Sequence, residues 1–108
     1  MKSPNKYWNK KSGGYDSKKE QKRAWELKLL EKSGEILGLE EKRRFELIPK
    51  QEGERAVCYE SDFSYYTLEA GAPLVVEDVK SEMTRKLPVY IVNRKLMLWV
   101  HKIKIREV

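Results

Sequence analysis

The feature that most constrains this chain is a pair of strand-like runs joined by a tight turn. Arg55–Tyr66 and Leu74–Lys80 are both rich in β-branched and aromatic residues, and Ala70-Gly71-Ala72-Pro73 marks a turn between them. The pattern predicts an antiparallel hairpin whose side chains alternate between two faces. Val57, Tyr59, Phe63 and Tyr65 then join Val75 and Val79 on an apolar face, while Glu60, Asp62, Ser64, Asp78 and Lys80 share the other. A hairpin symmetric about Ala70 sets Asp62 opposite Asp78 and Glu60 opposite Lys80. Directly opposed side chains lie about 4.5–5.5 Å apart at Cβ, and like charges there are destabilising unless something compensates. A bound Mg2+ is one such compensation, because it prefers oxygen ligands and takes one or two protein carboxylates beside water and phosphate oxygens. Lys80, on the same face, then points at the same place and holds a water or a phosphate oxygen. The other reading is structural: Lys80 pairs with Glu60, and a longer turn or a bulge keeps the aspartates apart.

The flanking segments complete the order of elements. Ser17-Lys18-Lys19-Glu20 matches a capping box, and Ala24, Trp25, Leu27, Leu29 and Leu30 carry a first helix to Ser33-Gly34. Glu20, Ala24, Leu27 and Glu31 share one stripe, so Glu20 lies on a flank that packs toward the domain, with capping as its competing role. Leu39–Ile48 reads as a strand stopped by Pro49. After Pro88, Val89, Val92, Leu96, Trp99 and Val100 recur at helical spacing, with Arg94, Lys95, His101 and Lys102 on the opposite edge. Ile103–Arg106 alternates as a last short strand. The fold class expected is α/β: helix, three strands, helix, strand, a mixed sheet flanked by helices. Residues 1–15, with four Lys, no acid and Gly13-Gly14, read as a basic flexible arm, either a plain disordered terminus or one in which Lys10 and Lys11 track phosphates and Tyr7 or Trp8 stacks on a base.

With 108 residues the chain has room for one domain. Its net charge of +6 conceals a pattern: ten Lys/Arg against four Asp/Glu over 1–32, five against eleven over 33–79, and eight against two over 80–108. Basic flanks around an acidic centre suit a protein that grips a polyanion with its ends, and a divalent metal reconciles the central carboxylates with phosphate. Solvated surface acids are the alternative. The single Cys58 allows no internal disulfide and reads as a small reduced core residue; no Cys/His cluster has zinc spacing. No apolar run approaches the roughly 18 residues of a membrane helix, and Met1–Lys6 lacks a signal-peptide stretch, so no membrane partner and a cytoplasmic location are expected. A Gly-rich phosphate loop and a nucleophile elbow are also missing.

Glu20 on the first helix, Asp62 on the second strand and Asp78-Val79-Lys80 on the third resemble, in this order, the motif skeleton of the PD-(D/E)XK nuclease superfamily. The stretches 16–20, 59–65, 75–81 and 103–108 are more closely similar to a phage and bacterial family of small proteins of unassigned function placed in that superfamily, over about residues 15–108. The resemblance implies a restriction-endonuclease-like core over 16–108 and hydrolysis of DNA phosphodiesters with Mg2+, for which Mn2+ can substitute, in a bacterial or phage-infected cell. Branched or junction DNA is a substrate class by analogy with small members of the superfamily. It assigns catalysis to Glu20, Asp62, Asp78 and Lys80, with Lys80 orienting or activating the attacking water, and metal contacts to Asp62, Asp78, Glu20 and Val79. Arg85, Lys86, Arg94 and Lys95 would join Lys10 and Lys11 on the DNA backbone. A homodimer offering two sites to two strands suits so small a domain, with Ile91 and Leu98 either in its interface or in the core. Three positions depart or leave a choice. Ser61 stands where the superfamily name has proline, Lys42 stands where many relatives carry glutamine, and Glu77 competes with Asp78 until alternation assigns it to the face of Val75 and Val79. Two rivals remain open: a non-catalytic nucleic-acid-binding accessory protein on the same fold, and a protein-interaction module.

Overall fold

The structure, a computed structural model, describes Gly14, Tyr15 and residues 17–108. Most of the basic arm, Lys10 and Lys11 included, and Asp16 lie outside the described residues. Tyr15 is tied to the domain, donating to Glu41 Oε2 at 3.1 Å and accepting from Lys28 Nζ at 3.0 Å. Ser17 caps α1 (Lys18–Lys32), its Oγ accepting from the Glu20 N–H at 3.0 Å. Losing such a cap typically costs about 1 kcal/mol. Ser17→Ala is therefore expected to lower stability in urea unfolding by roughly that amount, and no change would mean the cap bond is not formed. The helix stops where Gly34 turns left-handed, with the Glu35 N–H returning to the Leu30 carbonyl at 2.9 Å.

Two long strand paths follow, each bent in the middle. β1 (Ile36–Glu41) continues into β2 (Arg44–Ile48), and β3 (Val57–Glu60) into β4 (Phe63–Thr67). They pair antiparallel on both sides of the bend, and the bonds Lys42 N–H to Asp62 O (3.2 Å) and Ser61 N–H to Arg43 O (2.9 Å) carry the ladder across it. Lys42 sits there at φ 60°. That left-handed conformation costs a non-glycine residue about 1–2 kcal/mol, and it interrupts the pleat. Beyond the bend, β1, β4, β5 (Val75–Asp78) and β6 (Arg106–Glu107) form a mixed four-stranded sheet in the order β1-β4-β5-β6, with β5–β6 parallel; β2 and β3 form a separate two-stranded sheet. A 3-10 turn (Thr84–Lys86) and α2 (Pro88–His101) supply the crossover that the parallel pair requires.

Two apolar clusters flank the sheet. Ala24 and Leu27 of α1 pack with Ile36, Phe63 and Tyr65, and Val75 and Val79 lie against them. Tyr90 and Met97 of α2 pack with Phe45, Leu47, Tyr59, Val76 and Ile105. β5 thus contributes to both clusters, which its unbroken Leu74-Val75-Val76 run allows. The architecture is α/β with a mixed sheet and two helices; two of the three strands expected before α2 are each broken at the bend, so five strands, divided between two sheets, precede that helix.

Five further details differ from expectation. Tyr59 does not share a face with Phe63 and Tyr65, because the bend at Lys42 and Ser61-Asp62 turns β3 toward α2. The apolar stripe read on α2 is largely exposed, Val89 at 73 % and Trp99 at 75 %; the helix buries Tyr90 and Met97, whose spacing places them on another side. The first strand starts at Ile36 rather than Leu39, and the last is only Arg106–Glu107. Cys58 is half-buried on the wall of a groove, outside both cores. Among the described residues, no helix is long and apolar enough to cross a membrane.

Candidate active site

β4 and β5 pair in the register read from the turn: Phe63 faces Glu77, Ser64 faces Val76 and Tyr65 faces Val75. One step further, the Asp62 N–H donates to the Glu77 carbonyl at 3.2 Å, which brings Asp62 beside Asp78 at the end of the sheet. Asp62 Oδ2 is fixed by the Val79 N–H at 2.7 Å. Asp78 is 4 % exposed; its Oδ2 accepts from the Tyr59 hydroxyl at 2.5 Å, and its Oδ1 lies 3.3 Å from Lys80 Nζ. Burial pushes the Asp78 carboxyl up to about 6, and the Asp62 carboxylate within hydrogen-bonding reach adds to the rise, against the pull of Tyr59 and Lys80. Burial, reinforced by Asp78, holds the Tyr59 hydroxyl above its ordinary value, so it remains a donor.

Lys80 is held from two sides. Its ammonium stands 4.4 Å from the centre of the Tyr90 ring, a cation–π contact, as well as on Asp78. Tyr90 in turn donates to Glu107 Oε2 at 2.6 Å, and Arg94 Nη1 binds the same oxygen at 3.1 Å. The Tyr90 bond, with Arg94, keeps the Glu107 carboxyl below its ordinary value. β6 locks the backbone here, with Val108 N–H to Asp78 O at 3.0 Å and Lys80 N–H to Val108 O at 3.1 Å. The alternative pairing of Lys80 with Glu60 does not form; Glu60 Oε1 lies 3.6 Å from Arg44.

Glu20, 4 % exposed on α1, faces the aspartates through Lys42, whose Nζ lies 2.9 Å from Glu20 Oε2 and 3.3 Å from Asp62 Oδ1. Burial lowers the Lys42 ammonium, but Glu20 and Asp62 outweigh it and leave the group above its ordinary value. Glu77 turns to the other side of β5, where Arg23 grips it with Nε and Nη2, both at 2.7 Å. Glu20, Tyr59, Asp62, Asp78, Val79 and Lys80 line one groove of about 730 Å³, with Lys19, Thr84, Tyr90 and Asn93 on its walls.

Of the expected DNA-contacting cations, Lys86 and Lys95 are exposed, whereas Arg94 binds Glu107 and Arg85 Nε approaches it at 3.8 Å. Sequence reading gave Tyr59, Tyr90 and Glu107 no part in the site. No spacing rule marks them, since each reaches the site by a fold-dependent contact. Lys42 carried one signal, its place within the segment read as the first strand.

The donor set fits a hard divalent cation. Mg2+ takes oxygen ligands and needs only one or two protein carboxylates beside water, and here Asp62 adds to the cost of ionising its neighbour Asp78. Among the described residues, no three Asp, Glu, His or Cys side chains form a closed metal cluster, so the carboxylate pair is the unit to consider. Fold and site together define an α/β protein with a carboxylate–lysine groove at one end of its sheet. The chain belongs to the family described as "Protein of unknown function (DUF1064)", which matches residues 5–106. No curated protein and no solved structure matches it.

Proposed function

We propose that this protein is a Mg2+-dependent endodeoxyribonuclease of the PD-(D/E)XK type, its sheet and helices forming a restriction-endonuclease-like core. The observation that carries the reading is the convergence of Asp62, Asp78 and Lys80 at the end of β4 and β5. Asp62 and Asp78 would hold the cation, and this reading assigns the Val79 carbonyl and Glu20, which reaches the pair through Lys42, as further oxygen donors. When bound, the cation supplies a Lewis acid for a phosphoryl oxygen and a water of lowered pKa. The Val79 N–H and the Tyr59 hydroxyl each fix one carboxylate oxygen and so orient the other. Lys80, steadied by Tyr90, orients the attacking water and places positive charge where the pentavalent phosphorus gathers negative charge. Lys86 and Lys95 contact the DNA backbone, and two copies can present their grooves to two strands. Branched or junction DNA is the substrate class this reading favours.

Lys42 favours a second reading, because its ammonium pairs with both Glu20 and Asp62 and so supplies a cation to the carboxylates from the chain itself. On that account the protein is a non-catalytic nucleic-acid-binding accessory. Metal-dependent cleavage by the wild type separates the two, and Lys80→Ala tests the part played by the lysine. The nuclease reading expects a loss of cleavage of at least about 100-fold, with Mn2+ binding retained, since charge is removed at the transition state and not at the ligands. Unchanged cleavage in Lys80→Ala would remove the lysine from the mechanism.

A further inference from the structure

α2 buries Tyr90 and Met97 and turns a second apolar row to solvent. Val89, Val92, Leu96 and Trp99 follow one another at steps of three and four, so they share one face of the helix. Val89, Val92 and Trp99 are exposed, and Leu96 is half-buried at the edge of the core. Single exposed apolar residues need no explanation, whereas a continuous row of them marks an interaction site. The row begins at the groove, which Val89 and Asn93 help to line, and runs about 15 Å along the helix to Trp99.

The charge around this row is of one sign. From Met83 to Arg106 the chain has seven Lys/Arg and no Asp or Glu. Lys95 and Lys102 border the row, and Lys102 Nζ stands 5.1 Å from the centre of the Trp99 ring. The acids that do reach α2 meet its other side: Glu107 is bound by Tyr90 and Arg94, and the Glu46 carbonyl meets the His101 ring. A second copy laid on this face would set basic flank against basic flank, which is costly. A polyanion with open rings instead finds an aromatic platform with cations beside it. Duplex DNA keeps its bases stacked inside the helix, and single-stranded DNA presents them.

We infer that this face of α2 carries a single-stranded arm of DNA away from the groove, with a base stacked on Trp99 and with Lys95 and Lys102 along its phosphates. The inference rests on the nuclease reading and narrows its substrate to branched DNA with an unpaired arm beside the bond that is cut.

The test is binding of fluorescently labelled DNA by the full chain in EDTA, where no strand is cut. A forked duplex with two unpaired arms is compared with a blunt duplex of the same length. Wild type is expected to prefer the fork by about tenfold, Trp99→Ala to lose most of that preference, and Trp99→Phe to keep it. Because the Trp99 ring is exposed, the Ala variant should melt with the wild type. No fork preference in wild type, or the same preference in Trp99→Ala, overturns the inference, and cleavage of DNA in Mg2+ by the same wild-type protein then leaves the nuclease reading standing. In that event a dimer that Trp99→Ala splits in sedimentation assigns the face to a second copy, and phosphatidylserine vesicles that only the wild type binds assign it to a membrane surface. DNA that the wild type neither binds nor cuts overturns both readings.

Discussion

Asp78→Asn is expected to melt several degrees above the wild-type protein at pH 8 and to lose phosphodiester cleavage altogether. The stability gain follows from the sign of the carboxyl shift. Asp78 titrates at about 6 in the folded protein, against 3.8 for an ordinary aspartate, because it is buried and beside Asp62. Above pH 6 it is ionised in both states, and the folded state bears a cost that the unfolded chain does not. Below pH 3.8 it is protonated in both, and that cost vanishes. A shift of this size corresponds to about 1–3 kcal/mol. The gap between variant and wild type should therefore be widest above pH 6 and close toward pH 4, as read by thermal melts across that range. Asn can still accept from Tyr59, so the packing is retained. A variant that is less stable at pH 8 would show that Asp78 is ionised without penalty. Stability surrendered at one position for chemistry is typical of functional sites, which makes this pairing of gain and loss informative.

Arg23→Met is expected to be the most damaging substitution away from the groove. Glu77 is fully buried, and its carboxylate is held by two Arg23 bonds of 2.7 Å and by the Tyr65 hydroxyl. Glu77, bonding first among several contacts, holds the Arg23 guanidinium above its ordinary value. Removing one partner of a buried pair costs about 3–5 kcal/mol, because the other charge stays behind, here with only the exposed Arg106 at 3.9 Å left to offset it. For a domain of this size the total is about 5–15 kcal/mol, so the melting temperature should fall by well over 10 °C. Arg23→Met combined with Glu77→Gln should recover most of the loss, since a neutral amide can still accept from Tyr65. A single variant within about 1 kcal/mol of wild type would contradict this account of Glu77. The effect also bears on the groove, because Glu77 and Asp78 are consecutive in β5 and one anchors the position of the other.

The parts of the fold legible in the sequence are those set by local periodicity. The turn at Ala70–Pro73 and the alternation on each side of it specify the β4–β5 register, which brings Asp62 to Asp78 and turns Glu77 away. Ser17 announces α1 because a cap is a local bond. The failures begin where a residue acts against its type. Lys42 takes a backbone angle that the sequence would signal only with Gly or Asn, so the bend there, and with it the face of Tyr59, could not be read. On α2 the aliphatic stripe through Val89 and Val92 is the obvious apolar face, yet the buried face is built on Tyr90 and Met97. Tyr90 is held there by its hydroxyl bond to Glu107, 17 residues away, which no helical wheel contains. The lysine bridge from Lys42 to Glu20 and Asp62 is hidden for the same reason, since its partners lie 22 and 20 residues away.

The most direct test of the central claim is incubation of the wild-type protein with supercoiled plasmid, linear duplex and a synthetic four-way junction, in Mg2+, in Mn2+ and in EDTA. The account predicts strand cleavage in either metal, none in EDTA, and none from Asp78→Asn under any condition. DNA that is bound equally well in EDTA and never cut in metal would contradict it, and would assign Glu20, Asp62 and their lysines to a binding surface without catalysis.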